Sequence, residues 1–539
     1  VTVHLATFPP SFVFTDIVTF PPFIPFTFLT IFYTDVFGLT PATVAMIMLI
    51  CRAGDGVSDV FMGVVGDRTT SKYGHFRPWI LWTAIPLGVI LSLLFTAPDW
   101  SDSMKIAYAY TTYILFTLIY TANNIPYGAL MAVMTPSENE RASLGAFRMA
   151  GAFTGGMLVQ GALFMLVNYF GEINSNIELE KKAETEYVVK INSPENVKSA
   201  ILKTTHGPLG LYGSCAQFQE VETPDSANQT LGEISEVGKG ISFAIDANQT
   251  YSFVVTGEKD LTVEDFSLVN QSTGYSKSMY ILSAILALCM FFTFYGTRER
   301  VEPPKTQQNN LMEDLKNLVQ NKPWVILLTV GLGFNIYNNM KTIIIPFYFT
   351  HYMGNPMLAG VYFVALMLIS IVGASITPSL CDKFGKKNVF LGSMIITSII
   401  NSFLCVFQPN QIIGIFIVGL MSELFAAILP TLFFGMLGDA ADYGEKKFGR
   451  RATGLVYSAG SFATKFGGGI AGAIIGWVLA GFGYEGNDPN SIRDAVPGIV
   501  MLMSWIPAVI CAIFAVVMKF YPSKAEFDAV VSKDVISNE

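Results

Sequence analysis

Charge is scarce in this chain. Only 14% of its 539 residues are Asp, Glu, Lys or Arg, against roughly 25% in soluble globular proteins, which excludes a water-soluble enzyme as the body of the molecule. Cysteine is scarce too. The six, Cys51, Cys215, Cys289, Cys381, Cys405 and Cys511, are scattered without a Cys-x-x-Cys pair, so disulfide frameworks and thiolate metal sites are not expected. The four histidines, His4, His75, His206 and His351, lie far apart and offer no ligand cluster, so no metal beyond a transported monovalent cation, and no cofactor, is expected. Long basic runs are missing as well: 33 basic and 41 acidic residues leave a net charge of −8, and nothing recommends a nucleic-acid partner. No credible nucleophile–base pair is present, so catalysis is not expected, and no obligate protein partner is indicated.

Apolar residues are what the chain has in quantity. They make up 52% of it, enough for roughly a dozen spans of about 20 residues each and little else. Apolar stretches bounded by polar turns lie near 11–33, 41–66, 78–97, 105–131, 143–170, 277–296, 323–350, 356–380, 388–408, 411–437, 453–481 and 497–520. The expected fold is an all-α membrane protein of twelve transmembrane helices. The first stretch lacks the basic lead of a cleavable signal peptide. Its prolines Pro9, Pro10, Pro21, Pro22 and Pro25 break the backbone ladder and need neighbouring helices to satisfy it. Lys and Arg gather in the loops after even-numbered stretches (Arg68, Lys72, Arg77, Arg141, Lys383, Lys386, Lys387, Arg450, Arg451), whereas the short opposite loops hold only Lys105 and Arg493. By the positive-inside rule both termini are expected in the cytoplasm, in a bilayer read as a bacterial inner membrane.

The chain divides into an N-terminal half with five helices (1–170), an extracytoplasmic insert (171–276), the sixth helix (277–296), a charged cytoplasmic linker (297–322), a C-terminal half (323–520) and a cytoplasmic tail (521–539). Within the insert, Ile241-Ser242-Phe243-Ala244-Ile245 and Tyr251-Ser252-Phe253-Val254-Val255 alternate as strands do, predicting a small β-rich cap. It reads as a tolerated insertion rather than a lid or docking surface. Asn228, Asn248 and Asn270 begin Asn-x-Ser/Thr sequons, which a chain this long contains by chance. An Asp-basic-Gly-basic turn at 66–77 recurs at 381–387, and Arg141-Ala142-Ser143 is echoed by Arg451-Ala452-Thr453. Gly151 and Gly155 in the fifth stretch, and Gly468, Gly472 and Gly476 in the eleventh, suit close helix packing. Two six-helix halves of this kind are the plan of secondary transporters that rock around a midplane site.

Charges within spans are costly and usually functional. The second stretch carries Arg52, Asp55 and Asp59, with Ser58, at spacings that put the charges on one helical face. Two close carboxylates in a low dielectric need a cation between them, and oxygen ligands suit a hard monovalent ion. Arg52 can neutralise one aspartate as a structural pair, which leaves one carboxylate over. The fourth stretch offers Tyr120, Thr121, Asn123, Asn124 and Tyr127, the hydroxyls, amides and rings that a sugar needs but that also serve as interhelical glue. Arg148, Lys341 and Lys465 add cations, and Lys465 lies about four turns into its helix, too deep to reach the surface. Asp439, Asp442, Arg450 and Arg451 gather at one end of the tenth and eleventh helices as gate pairs or solvated loop charges. Glu423 has no evident role.

Phe32-Tyr33-Thr34-Asp35-Val36-Phe37-Gly38-Leu39, the helix-two Arg-x-x-Asp-x-x-x-Asp, Asp67-Arg68 through Arg77-Pro78-Trp79, Ile125-Pro126-Tyr127 and Asp439-Ala440-Ala441-Asp442-Tyr443-Gly444-Glu445 together resemble the glycoside-pentoside-hexuronide:cation symporters, the major facilitator branch that includes the melibiose permeases. The resemblance implies that Asp55, Ser58, Asp59 and Thr121 bind the coupling cation, sodium by expectation with lithium or a proton as alternatives. It also implies that Tyr120, Asn124, Arg148 and Lys465 line the sugar site, with Phe434 where many members keep a tryptophan. It makes Arg52, Asp67, Arg68, Asp439, Asp442, Arg450 and Arg451 structural or gating charges. Thr19 stands where melibiose-type members carry a sugar-binding aspartate, Asp16 lies one turn away, Ser58 replaces a common asparagine, and Asn124 replaces an acidic sugar ligand. A site that has lost two carboxylates and kept two cations is expected to prefer an acidic sugar, such as a uronide or a sulfonated or oligomeric relative. The expected function is cation-coupled symport of a sugar or glycoside. A sodium-coupled lysophospholipid symporter of the same branch and a non-transporting sugar sensor are the rivals.

Overall fold

The computed structural model describes residues 23–134, 138–182, 186–204, 216–218, 233–234, 240–257, 261–300, 316–448, 453–486, 488–522 and 526. Among them run twelve helical spans, as the apolar stretches predict: α1 (Phe23–Ile31), α2 (Pro41–Arg68), α3 (Arg77–Leu94), α4 (Asp102–Met134), α5 (Glu138–Gly171), α6 (Gln271–Gly296), α7 (Lys322–Phe347), α8 (Met357–Phe384), α9 (Lys386–Ser402), α10 (Ile412–Ala426 and Ile428–Phe448), α11 (Thr453–Gly481) and α12 (Pro489–Met503 and Trp505–Met518). The sequence marks many of the starts. Thr40 caps α2 through the amide of Thr43 with Pro41 in the first turn, and Asn321 caps α7 through Trp324 with Pro323 behind it. Both pair a polar cap with a proline that has no amide to leave unsatisfied.

Seven spans, α3, α6 and α8 through α12, are long and apolar enough to cross a bilayer by composition alone. Four of the others, α2, α4, α5 and α7, have the length and carry more polar residues, and two of them, α2 and α4, join α11 in the site described below. The described part of α1 begins at Phe23 and gives way to a π-helical turn, Phe32–Val36; residues 1–22, with Asp16 and Thr19, lie outside the described residues. The breaks at Ala427 in α10 and Ser504 in α12 each precede a proline, Pro430 and Pro507, which has no amide to offer the carbonyl four residues back, at Ala426 and Met503.

The two halves meet along three seams: α2 with α11, α5 with α8, and α1 with α7. Small residues make the first two possible. On α11, a Cβ at Gly469 would lie 2.6 Å from Arg52 Cβ, and one at Gly476 would lie 2.5 Å from the Pro41 carbonyl. On the α5–α8 seam a Cβ at Gly360 would lie 2.3 Å from the Gly161 carbonyl. Gly472 and Gly468 of the predicted set sit against Met48 and Asn339. Gly360, Gly161 and Gly476 lie toward the end of the bundle that carries the insert, so the halves are drawn together there. At the opposite end of the N-terminal half, Glu299, just past α6, accepts the amides of His75, Phe76 and Arg77 at 2.8, 2.8 and 2.9 Å. A carboxylate thereby satisfies the free donors that open α3.

The insert is β-rich, as the alternation predicts. Its strands are β1 (Asn176–Lys181), β2 (Glu186–Asn192), β3 (Val197–Thr204), β4 (Ala216–Phe218), β5 (Glu233–Ile234), β6 (Gly240–Ile245), β7 (Thr250–Gly257) and β8 (Phe266–Val269). They pair antiparallel in two four-stranded sheets, β1-β2-β7-β4 and β5-β6-β3-β8. The two sheets share one core, in which Val189, Ile191 and Phe253 meet Ala200, Leu202, Phe243 and Leu268. Burial pushes the Lys203 ammonium on β3 down to about 8. The insert leaves and rejoins the bundle at one point, where Asn270 N donates to Gly171 O at 2.7 Å and Ile173 N to Leu268 O at 2.9 Å. Asn270 of the third sequon caps α6, its Oδ1 taking the Thr273 amide, so this asparagine serves the backbone. Asn248 sits exposed in a turn at φ 63°, and Asn228 lies outside the described residues.

Candidate functional site

The mid-membrane charges of α2 come together with α4 and α11. Arg52, Asp55 and Asp59 occupy successive turns of one face because 3.6 residues complete each turn. Arg52 Nη1 lies 3.2 Å from Asp55 Oδ2, with the two side chains 6% and 4% exposed. The glycine opposite, Gly469, is what lets α11 pass over the arginine. Asp59 is met from the other half of the molecule: Lys465 Nζ donates to its Oδ1 at 2.5 Å and its Oδ2 at 2.6 Å. Thr121 Oγ1 of α4 also donates to Asp59 Oδ1, at 3.2 Å. Ser58 Oγ lies 2.9 Å from the Asp55 carbonyl and 3.4 Å from Thr121 Oγ1. Two carboxylates, two hydroxyls and two basic groups thus share one pocket of the bundle, neutral in sum. That balance is what the low dielectric demands, since a buried charge without a partner is costly.

This arrangement changes one inference from sequence. Arg52 leaves one carboxylate over only within α2; in the folded chain Lys465 takes it, across 406 positions. Lys465, placed by resemblance with the sugar, touches the aspartate placed with the cation. The expected oxygen ligands Asp55, Ser58, Asp59 and Thr121 are brought together. Tyr120 is half-buried and stacks on Phe116 at 6.0 Å between ring centroids, and Asn124 is half-buried one turn further along α4. Asn123 turns away, its Nδ2 donating to Thr83 Oγ1 of α3 at 2.7 Å, so this amide is interhelical glue. Phe434 is 43% exposed. Arg148 lies on α5, and its side chain falls outside the described residues.

The remaining charges separate. Asp439 is held by Lys386 at 2.6 and 2.9 Å, a pair within the C-terminal half that joins α9 to α10, and Asp442 is exposed one turn later. Arg68 is exposed at the end of α2, the Asp67 side chain is outside the described part, and so are Arg450 and Arg451. Glu423 accepts a hydrogen bond from Ser370 Oγ at 2.8 Å.

Sequence reasoning missed one constellation. At the insert end Asp35, which follows α1, meets His351, which follows α7, and Tyr484, which follows α11. Asp35 Oδ2 lies 2.8 Å from His351 Nε2 and Asp35 Oδ1 2.6 Å from the Tyr484 hydroxyl. In the sequence Asp35 stands out only as part of a family motif, and His351 only as a scattered histidine. The signal available was the similarity of 32–38 to 348–354.

Comparison with known proteins places the chain in a family. Residues 22–190 and 230–524 match the family model described as MFS/sugar transport protein. The chain is 28% identical over 505 residues to the inner membrane symporter YicJ of Escherichia coli (strain K12), an alignment covering 92% of this chain and 87% of the relative. It is 27% identical over 502 residues to the isoprimeverose transporter of Lactiplantibacillus pentosus, covering 92% and 84%. Among solved structures, a bacterial homologue of the human lysosomal transporter Spinster, inward-facing and unoccupied, superposes with a TM-score of 0.59 at 12% identity, over 94% of this chain and 95% of that one.

Proposed function

The chain belongs to the MFS/sugar transport protein family, and from that premise we propose that it is a sodium-coupled symporter of a sugar or glycoside. The observation that carries the coupling is the double hold of Lys465 on Asp59 beside Thr121, Ser58 and Asp55. A sodium ion needs several oxygen ligands, and these four residues supply them on two neighbouring helices. The ion and the Lys465 ammonium compete for one carboxylate. When sodium takes Asp59, the lysine is released on α11 toward the space between the halves, where it serves a substrate. A freed ammonium in a site where Asn124 of α4 carries no charge of its own favours a sugar with a carboxylate or sulfonate over a neutral one.

Coupling then works in both directions, because a sugar that binds the released lysine holds it off the aspartate and so raises sodium affinity by the same factor. With Asp59 bare and Lys465 drawn away, a half-loaded protein would carry an uncompensated charge through the bilayer, which opposes its crossing. The short loops rich in Lys and Arg orient the linker end toward the cytoplasm and the insert toward the outside, in a bacterial inner membrane.

Calorimetry on the purified protein tests this reading, using neutral glycosides and uronides, with and without sodium, on wild type and Asp59→Asn. The expected result is sugar affinity that rises with sodium in wild type and is indifferent to sodium in the variant. Sugar binding indifferent to sodium in both proteins removes the sodium coupling. Binding of neutral glycosides alone removes the acidic preference, and no sugar binding at all overturns the substrate class in favour of a lysolipid cargo.

A further inference from the structure

The bends that follow α1 and α7 are two copies of one device. Phe32-Tyr33-Thr34-Asp35-Val36-Phe37-Gly38 and Tyr348-Phe349-Thr350-His351-Tyr352-Met353-Gly354 align without a gap, each position 316 residues from its twin. Both first five residues form a π-helical turn, a rare geometry often found at functional sites. The backbone closes both in the same way. Phe37 N donates to Phe32 O at 2.8 Å and Leu39 N to Tyr33 O at 2.8 Å, as Met353 N does to Tyr348 O at 3.0 Å and Asn355 N to Phe349 O at 2.8 Å. Each bend ends on a left-handed glycine, Gly38 at φ 76° and Gly354 at φ 65°, a conformation that side chains resist. The widened turn directs its fourth residue toward the partner half, and the two fourth residues are Asp35 and His351.

The hydrogen bonds at this junction assign themselves. Thr34 Oγ1 and the Tyr484 hydroxyl both lie 2.6 Å from Asp35 Oδ1, and a carboxylate can only accept, so both hydroxyls donate. The Tyr484 proton is thereby used, and its oxygen accepts from His351 Nε2 at 2.9 Å, the same N–H that faces Asp35 Oδ2 at 2.8 Å. Three donors satisfy one carboxylate whose side chain is 11% exposed. The loop behind Tyr484 adds no slack, since a Cβ at Gly486 would fall 2.5 Å from the Thr34 carbonyl.

We propose that Asp35, His351 and Tyr484 are the latch that holds the insert-end gate shut, with the twin π-turn bends as its jaws, one from each half. The proposal rests on transport by alternating access. A substrate that enters from the insert end must pass between α1 and α7, and for that Asp35 has to give up His351 and Tyr484 together. Charge-assisted hydrogen bonds in a poorly solvated site are the strong ones, so the latch stabilises the closed state while three short contacts confine its release to one motion.

Spin labels at the exposed positions Ser103, in the first turn of α4, and Asn410, in the loop between α9 and α10, at the insert end of opposite halves and in a background free of native cysteines, report the gate by electron–electron distance measurement. Wild type is expected to populate mainly the short distance. Asp35→Asn and His351→Phe are each expected to shift the closed-to-open ratio by about ten- to a hundredfold toward open, and Tyr484→Phe by less. Because the two bends are equivalent, the exchange Asp35→His with His351→Asp is expected to restore the short distance, which a merely misfolded single variant would not allow. Single variants with wild-type distances, or an exchanged protein as open as either single variant, overturn the latch. The distances are read without any sugar or sodium, so failure of the symport reading leaves this result standing on its own.

Discussion

Among the described residues two acid–base contacts join the halves of this protein, and they are built differently. At mid-membrane, Asp59 meets Lys465, a long flexible side chain with an always-ionised neighbour, Arg52, one helix away. At the insert end Asp35 meets His351, a short ring fixed by Tyr484 and by a rigid bend. The first contact can be exchanged, because an ion can take the place of an ammonium without moving the backbone. The second cannot be exchanged, only opened, because its partners come on two stiff turns and a tight loop. The difference separates the two tasks of a coupled carrier: one carboxylate reads what is bound, the other holds the path closed.

Removing Lys465 should break the comparison most severely. Lys465→Met leaves Asp59 buried with Thr121 as its remaining donor, and loss of one partner of a buried pair costs about 3–5 kcal/mol. The melting temperature should fall in sodium-free buffer and recover with sodium, whose apparent affinity should rise because its competitor is gone. A loss of stability that sodium does not repair would mean that Lys465 is a structural pair only. Next in size is the seam that supports the latch. Gly360→Val places a side chain against the Gly161 carbonyl and should push the 103–410 distance toward open with Asp35 and His351 intact, whereas Lys465→Met should leave that distance largely as it is.

The smaller effects lie in the insert. Asn270→Ala removes the cap of α6 and should cost about 1 kcal/mol, seen as faster amide exchange in its first turn. Lys203, pushed down to about 8 from an ordinary 10.5, is protonated in both folded and unfolded states below that range, where the fold bears the full cost of burying its charge. The insert's stability should therefore rise as pH climbs from about 8 toward 10.5, and Lys203→Met should raise stability below pH 8 and flatten the rise. Hydrogen exchange confined to β3 and β6 checks both, and unchanged protection in the variant would show the ammonium to be solvated.

How legible was all this? Twelve spans could be read because a bilayer requires long apolar runs, and the insert's strands because alternation survives outside it. The α2 charges were legible for the same local reason, spacing on one helix. What local pattern cannot carry is distance along the chain. Nothing near Asp59 points to Lys465, and nothing near Asp35 points to His351, since helix periodicity specifies a face and not the helix opposite. Asn123 and Asn124 are neighbours in sequence, yet one ties α4 to α3 and the other does not. The breaks at Ala427 and Ser504 have a local cause, since Pro430 and Pro507 leave the carbonyls of Ala426 and Met503 without their helical donors. The twin bends were readable in principle, as a second copy of a seven-residue pattern, but their meaning needed the two copies to be seen touching.

One detail of the insert reaches further. Its two ends are held side by side by two backbone hydrogen bonds, Asn270 N to Gly171 O and Ile173 N to Leu268 O, so to the membrane part the whole β-sandwich is a short loop, whatever its size. Such a junction is a graft point: any folded module with adjacent ends can stand there at little cost in chain entropy. Because it leaves from α5 and returns to α6, a module so mounted is expected to turn with the N-terminal half like a pointer on a dial. An antibody fragment or fluorophore placed on it would register the rocking of a carrier otherwise buried in lipid.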